Sequence, residues 1–230
     1  MKYDFEKLIV ITLGGSIICP DKIDSLFLRK FKKFIEDFIG KGYKFILVTG
    51  GGRLSRVYQE AAAKVAGIDD EDKDWLGIHA TRLNAHLLRT IFRELAEPMI
   101  IDSRDKVKMP EKPVFIASGW RPGWSTDYIA VAIAEILGAK EIIIAGKPAF
   151  VYDKDPGKYK NAKKFEKMNW AEYRELIPDK WIPGLHSPVD PIGAKLADEK
   201  GIKAIIMNGK DLKNFSKLLN GKDFRGTIIE

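Results

Sequence analysis

The residues best placed to do chemistry are Gly50-Gly51-Gly52-Arg53, three glycines at the end of an apolar run, with a second arginine at Arg56. Glycines let backbone N–H groups approach an anion, a helix start adds the positive end of a dipole, and arginine supplies a forked donor that suits phosphate. Such a turn also serves purely steric ends. The anion reading gains from a second turn of the same kind, Gly14-Gly15-Ser16, which follows the apolar Val10-Ile11-Thr12-Leu13. Two turns predict two phosphates. Transfer between them needs positioning and charge neutralisation but no general base, because an acceptor phosphate oxygen is already ionised. The three histidines, His79, His86 and His186, stand beside no obvious nucleophile and lack metal-ligand spacing, so they read as structural or surface residues and no protein-built metal site is predicted.

A third element, Ser118-Gly119-Trp120-Arg121-Pro122-Gly123-Trp124-Ser125-Thr126-Asp127, combines glycines, hydroxyls and an acid at a helix start. Ser125 or Thr126 could cap that helix or touch a ligand, and Asp127 could be a first-turn carboxylate or the organiser of a reaction centre.

These turns must be held by regular elements, and apolar runs alternate with helical periods along the chain. Strands are expected over 7–13, 44–49, 99–101, 114–117, 141–144, 204–207 and 226–229, and helices over 25–39, 53–66, 75–95, 127–137, 189–200 and 212–219. The pattern predicts a three-layer α/β/α sandwich around a mostly parallel sheet, with ligands at the carboxyl ends of the strands, where both glycine turns fall. We read residues 1–230 as one domain, with an acceptor-side half over about 1–138 and a donor-side half over about 139–230. Neither GxGxxG nor GxxxxGK[ST] is present.

The chain has 230 residues, a formal charge of +7 and a single cysteine, Cys19. One cysteine excludes an internal disulfide framework. No apolar run reaches membrane-spanning length, and the segment Leu8 to Leu13 is too short and too closely preceded by acids for a secretory signal, so a cytoplasmic chain is expected. The basic run from Lys154 to Lys167 is interspersed with acids and reads as a solvated face. No polynucleotide-binding motif is present, so polynucleotide and membrane are not expected partners.

In order along the chain, Gly14-Gly15-Ser16, Gly50 to Arg56, Asp74-Trp75-Leu76-Gly77-Ile78, Thr81-Arg82-Leu83-Asn84-Ala85, Pro122-Gly123 with Ser125-Thr126-Asp127, Val151-Tyr152 with Asp155-Pro156, and Val189-Asp190-Pro191 resemble the amino-acid-kinase superfamily, and within it the uridylate (UMP) kinases of archaeal type. The resemblance implies transfer of a phosphoryl group from ATP to UMP with Mg2+, and a homo-oligomer, as a hexamer. It implies that Gly51, Gly52 and Arg56, with Arg53 nearby, hold the UMP phosphate, that Asp74 bonds the ribose, and that Gly119, Ser125 and Thr126 read the uracil edge. Gly14, Gly15 and Ser16 would receive the transferring group and Asp127 would organise the centre. Lys158 would act on the donor side, with Tyr152, Asp155 and Asp190 in the ATP half, where Lys147, outside the family pattern, could supply polar contacts to the triphosphate. Two positions depart from the pattern. Thr12 stands where many members keep lysine, and Gly146-Lys147-Pro148-Ala149-Phe150 replaces the usual Thr-Asn-Val-Asp-Gly, placing a ring where glycine leaves room in the donor pocket. Two other readings remain open: a kinase of another small phosphorylated or carboxylated metabolite, and a non-catalytic nucleotide-binding sensor or storage protein.

Overall fold

A computed structural model of the chain describes Tyr3, residues 5–180 and residues 187–230. The elements in order are β1 (Leu8–Leu13), α1 (Gly15–Ile18), α2 (Ser25–Ile39), β2 (Lys44–Thr49), α3 (Gly52–Val65), α4 (Asp70–Phe92), β3 (Val114–Ala117), α5 (Thr126–Leu137), β4 (Glu141–Gly146), β5 (Val151–Tyr152), β6 (Lys164–Phe165), β7 (Lys167–Met168), α6 (Trp170–Glu175), α7 (Pro191–Lys200), β8 (Lys203–Asn208), α8 (Leu212–Leu219) and β9 (Thr227–Ile229).

Seven strands form one sheet in the order β3-β2-β1-β4-β8-β9-β7, while β5 and β6 make a small antiparallel hairpin. All pairings in the large sheet are parallel except β8 with β9. Alternate strand residues feed opposite faces, as the period of a strand requires. Ile9, Ile11, Leu13, Phe45 and Leu47 pack under α2, α4 and α8, whereas Val10, Ile46, Val48, Ile142 and Ile144 pack under α5, α6 and α7. The result is the three-layer, mostly parallel architecture expected from the sequence. The strand order reverses between β1 and β4, which opens a crevice at their carboxyl ends, the usual ligand position in open parallel sheets.

Four expectations are corrected. Met99 to Ile101 is not a strand; it contributes one bridge, Ile101 to Ala117, because its neighbours do not pair. The helix expected over 75–95 starts at Asp70, capped by Asp69, and ends at Phe92 before a 3-10 turn at Arg93–Leu95. Helices α1 and α6, and strands β5 to β7, are too short to carry a legible period. Phe150 does not fill the cleft: it is buried behind the hairpin, edge-on to Tyr152 with the Lys164 ammonium over its ring, while Lys147 and Pro148 line the cleft instead.

Candidate active site

The floor of the site is the contact between the two glycine turns. Each turn is first tied to the sheet: the Gly14 N–H donates to the Ala145 carbonyl at 3.0 Å, and the Gly50 N–H to the Leu13 carbonyl at 3.1 Å. Gly15 and Gly52 then meet backbone to backbone. A Cβ on Gly15 would fall inside the Gly52 main chain, one on Gly52 would fall inside Gly15, and Gly52 has φ +66° besides. The steric reading of these glycines therefore holds, and it serves the anion reading, because it brings the starts of α1 and α3 side by side. Among the described helices α2, α4, α5, α6, α7 and α8 take a side-chain cap, whereas α1 and α3, which open on Gly14 and Gly51, take none. Uncapped N–H groups at a helix start suit an anionic ligand.

Above this floor lies a cleft of about 700 Å³. Ser55, Arg56 and Gln59 of α3 and Asp74 of α4 line one side, and Lys147, Pro148, Ser187 and Asp190 the other. Buried groups set the first wall. The Asn84 amide donates to the Gly50 carbonyl at 2.7 Å and the Gly51 carbonyl at 3.2 Å, and the Thr81 hydroxyl accepts from the Gly119 N–H at 2.7 Å. Asp74 accepts from the Gly123 N–H at 2.7 Å, and Gly123 has φ +79°. On the other wall the Tyr173 hydroxyl both donates to the Val189 carbonyl and accepts from its N–H, each at 2.7 Å.

Ser125 joins the two walls. Its hydroxyl oxygen accepts from the Asp127 and Tyr128 N–H groups at 3.1 and 3.0 Å, capping α5, and its proton goes to Asp190 Oδ2. The other Asp190 oxygen accepts from the Ile192 and Gly193 N–H groups at 2.9 and 3.0 Å, capping α7. The capping reading is thus correct for Ser125, Asp190 caps as well, and both residues still line the cleft.

Asp127 stands at the centre. Burial drives its carboxyl well above the ordinary carboxylate value of about 3.8, and the Asp190 carboxylate adds to the rise, while the nearby Thr12 hydroxyl opposes part of it. No cation pairs with Asp127 among the described residues. Four buried side-chain polar atoms lack a hydrogen-bond partner of good geometry among the described residues; two of them, Thr12 Oγ1 and Ser187 Oγ, belong to residues that line the cleft. A buried polar group without a partner is costly, so these hydroxyls and the unpaired carboxylate are the groups a polar, cation-bearing ligand would satisfy.

Of the residues expected in the site, Gly14, Gly15, Ser16, Gly51, Gly52, Arg56, Asp74, Gly119, Ser125, Thr126, Asp127, Lys147 and Asp190 line the one cleft. Arg53 turns away to Glu60 at 2.8 Å, and Tyr152, Asp155 and the exposed Lys158 lie on the hairpin side outside it. His79 and His86 are exposed and outside the cleft, and His186 lies outside the described residues. Ser55, Gln59, Arg121, Trp124 and Ser187 line the cleft without having been expected there. No cluster of three or more His, Cys, Asp or Glu that could hold a metal ion occurs among the described residues, and no described helix is long and apolar enough to cross a membrane.

This geometry has known counterparts. The family model described as "Amino acid kinase family" matches residues 7–208. A protein named uridylate kinase from Pyrococcus abyssi (strain GE5 / Orsay) is 32% identical over 227 residues, covering 96% of this chain and 99% of the relative. One of the same name from Methanocaldococcus jannaschii is 32% identical over 228 residues, covering 96% and 99%. The crystal structure of uridylate kinase from Archaeoglobus fulgidus superposes with a TM-score of 0.83 at 29% identity, covering 98% of this chain and 100% of that one. With a sheet that reverses between β1 and β4, glycine turns interlocked at that point and a match over most of its length, the chain belongs to the amino acid kinase family.

Proposed function

We propose that the chain transfers the γ-phosphoryl group of ATP to UMP, giving ADP and UDP, in pyrimidine nucleotide synthesis. The observation that carries this reading is the contact of the Gly14-Gly15 and Gly50-Gly51-Gly52 turns, which puts two anion-suited helix starts at one floor. Two phosphates held there approach in line, and positioning supplies most of the rate. The names of the relatives support UMP as acceptor. In this reading Gly51, Gly52 and Arg56 hold the UMP phosphate, Asp74 and the 119–126 loop hold ribose and base, and Gly14, Gly15 and Ser16 bind the transferring group. Lys147 and Asp190 lie toward ATP. Arg53, Tyr152, Asp155 and Lys158 stand outside the cleft, and we assign them no contact. The acceptor-side half 1–138 and donor-side half 139–230 then act as one domain, supported by the sheet that runs through both.

Mg2+ fits this donor set as a partner of the ATP phosphates, since it is commonly held by one or two carboxylates and substrate oxygens rather than by an all-protein cage. Asp127, unpaired and facing the cleft, is the residue that would hold it, and the ion when bound neutralises phosphate charge. The protein's own part is orientation: α1 and α3 aim their N–H groups, Asn84 fixes the acceptor turn, and Ser125 ties α5 to α7.

We also read the chain as a cytoplasmic homo-oligomer, in hexameric form. Helix α3 supports this, as it buries no residue and shows Val57, Tyr58 and Val65 to solvent. Sedimentation of the purified chain measures its mass directly.

A coupled ADP-release assay over a panel of acceptors tests the reaction; ATP turnover with UMP is expected, and turnover only with other acceptors would overturn the reading. Two variants sharpen it. Arg56→Ala should raise the Michaelis constant for UMP roughly ten- to hundred-fold with that for ATP unchanged, as expected for loss of a charge-assisted contact of about 1.5 to 3 kcal/mol. An unchanged constant for UMP removes Arg56 from the acceptor site. Asp74→Asn should narrow the preference for UMP over dUMP by about tenfold, since one oxygen is already committed to Gly123 and the other is left for ribose. A preference equal to that of the wild type would leave Asp74 as an anchor of the loop alone.

A further inference from the structure

Helix α3 is pinned firmly only at its start. Gly52 lies against Gly15, and the Arg53 N–H donates to the Cys19 carbonyl at 3.0 Å, yet the helix buries none of its residues. Beyond Arg53 a single hydrogen bond among the described residues reaches from α3 to another element: the Gln59 side-chain amide donates to the Lys73 carbonyl of α4 at 2.8 Å. Gln59 is half-buried and lines the cleft. Its acceptor can take the bond without leaving the helix, since a backbone carbonyl has two lone pairs and the helix uses one of them. Gly77, one turn after Lys73, lies against the same face of α3: a Cβ there would stand 3.4 Å from the Ser55 hydroxyl oxygen and 3.6 Å from the Gln59 amide nitrogen. The bond therefore falls between Arg56, one turn before Gln59 on α3, and Asp74, the residue after Lys73 on α4. Asp74 is fixed on its far side by the Gly123 N–H at 2.7 Å.

We propose that Gln59 is a positioning residue: its bond to the Lys73 carbonyl sets the span between Arg56 and Asp74, so that the cleft holds a phosphate and a ribose at the spacing of one nucleotide. The inference rests on the reading of UMP as acceptor, with Arg56 on its phosphate and Asp74 on its ribose. Its logic is that of a two-point attachment. Once one end of a ligand is bound, the other end meets its receptor at an effective concentration that depends on the two receptors standing the right distance apart. A helix without buried residues shifts and opens at little cost, and every arrangement in which Arg56 has drifted from Asp74 forfeits that gain. Gln59 removes those arrangements before the ligand arrives. A bound nucleotide can still draw the helix back into place, so loss of the tether weakens binding and spares the chemical step.

Methionine keeps the length and helix preference of glutamine and lacks the donor. Steady-state kinetics of the wild type, Gln59→Met, Arg56→Ala and the double variant test the proposal. Gln59→Met should raise the Michaelis constant for UMP about tenfold, with the turnover number at saturating UMP and the Michaelis constant for ATP within about threefold of the wild type. In the Arg56→Ala background the same change should cost less than about twofold, because the tether has nothing left to place once the guanidinium is gone. A general loosening of the fold would instead raise the ATP constant in parallel and add in full to Arg56→Ala. A UMP constant within about twofold of the wild type in Gln59→Met, a parallel rise in the ATP constant, or the full loss in the Arg56→Ala background overturns the inference and leaves the acceptor reading standing. A wild type that turns over other acceptors and not UMP overturns that reading and the inference with it.

Discussion

Gly15→Ala is expected to lower the turnover number by about 10²-fold or more, with a parallel loss of thermal stability. The added methyl would fall inside the Gly52 backbone, and Gly50 lies almost as close, so the two turns must separate. Both anion-suited helix starts move with them, and a displacement of about 1 Å at reacting groups costs on the order of 10²-fold. The sequence alone suggests a methyl group that obstructs transfer and leaves the fold untouched; the interlocked turns add a stability cost, since neither backbone can yield without giving up its bond to the sheet. Steady-state kinetics together with a melting curve measure both effects. Turnover within about threefold of the wild type would mean that the turns can part without harm, and that their contact does not set the reaction geometry.

The second large effect is at Asp127. Burial and the neighbouring Asp190 carboxylate raise its pKa on folding. Between the ordinary value of about 3.8 and the raised folded value, the folded chain holds more protons than the unfolded one, so this group's contribution to stability falls as pH rises through that window. Asparagine has nearly the same shape and no charge to desolvate. Asp127→Asn should therefore melt higher than the wild type at neutral pH without metal or nucleotide, by about 2 to 4 °C for each kcal/mol relieved in a chain of this size. The advantage should disappear below about pH 3.8, where both side chains are neutral. The same variant should lose about 10²-fold or more in turnover, as expected for removal of a preorganised charge at the reaction centre. Gain of stability with loss of activity is the signature of a strained functional group. A variant that melts lower at neutral pH, in the absence of ligand, would show that the carboxylate is a structural asset.

Much of this site was legible in the chain because its floor is local. Glycines at the ends of two apolar runs announce turns at strand ends, and a strand end in a parallel sheet is where a ligand sits. The supports were less legible because they act across distance. Asn84 lies 34 residues from Gly50 and reads in isolation as a polar residue on an amphipathic helix; its role exists only once α4 lies over the turn. Tyr173, which grips Val189, belongs to a six-residue helix with no periodic signature. Phe150 misled for the opposite reason. A ring in place of glycine suggests a blocked pocket, but the chain turns after Pro148 so that the ring enters the core beside the hairpin. Residue type could not reveal that direction.

Helix α3 carries Arg56 and half of the floor, yet not one of its residues is buried. A helix that removes so little apolar surface from water gains little stability from its own packing, and its hydrogen bonds can open without disturbing the sheet. An anion at its first turn, beside the fixed contact with Gly15, damps the opening of the turns beyond it, so part of the intrinsic binding free energy is offset by that ordering. Affinity for the acceptor is consequently adjustable from the far end of α3, near Val65, by substitutions that stiffen or loosen the helix and never touch the ligand.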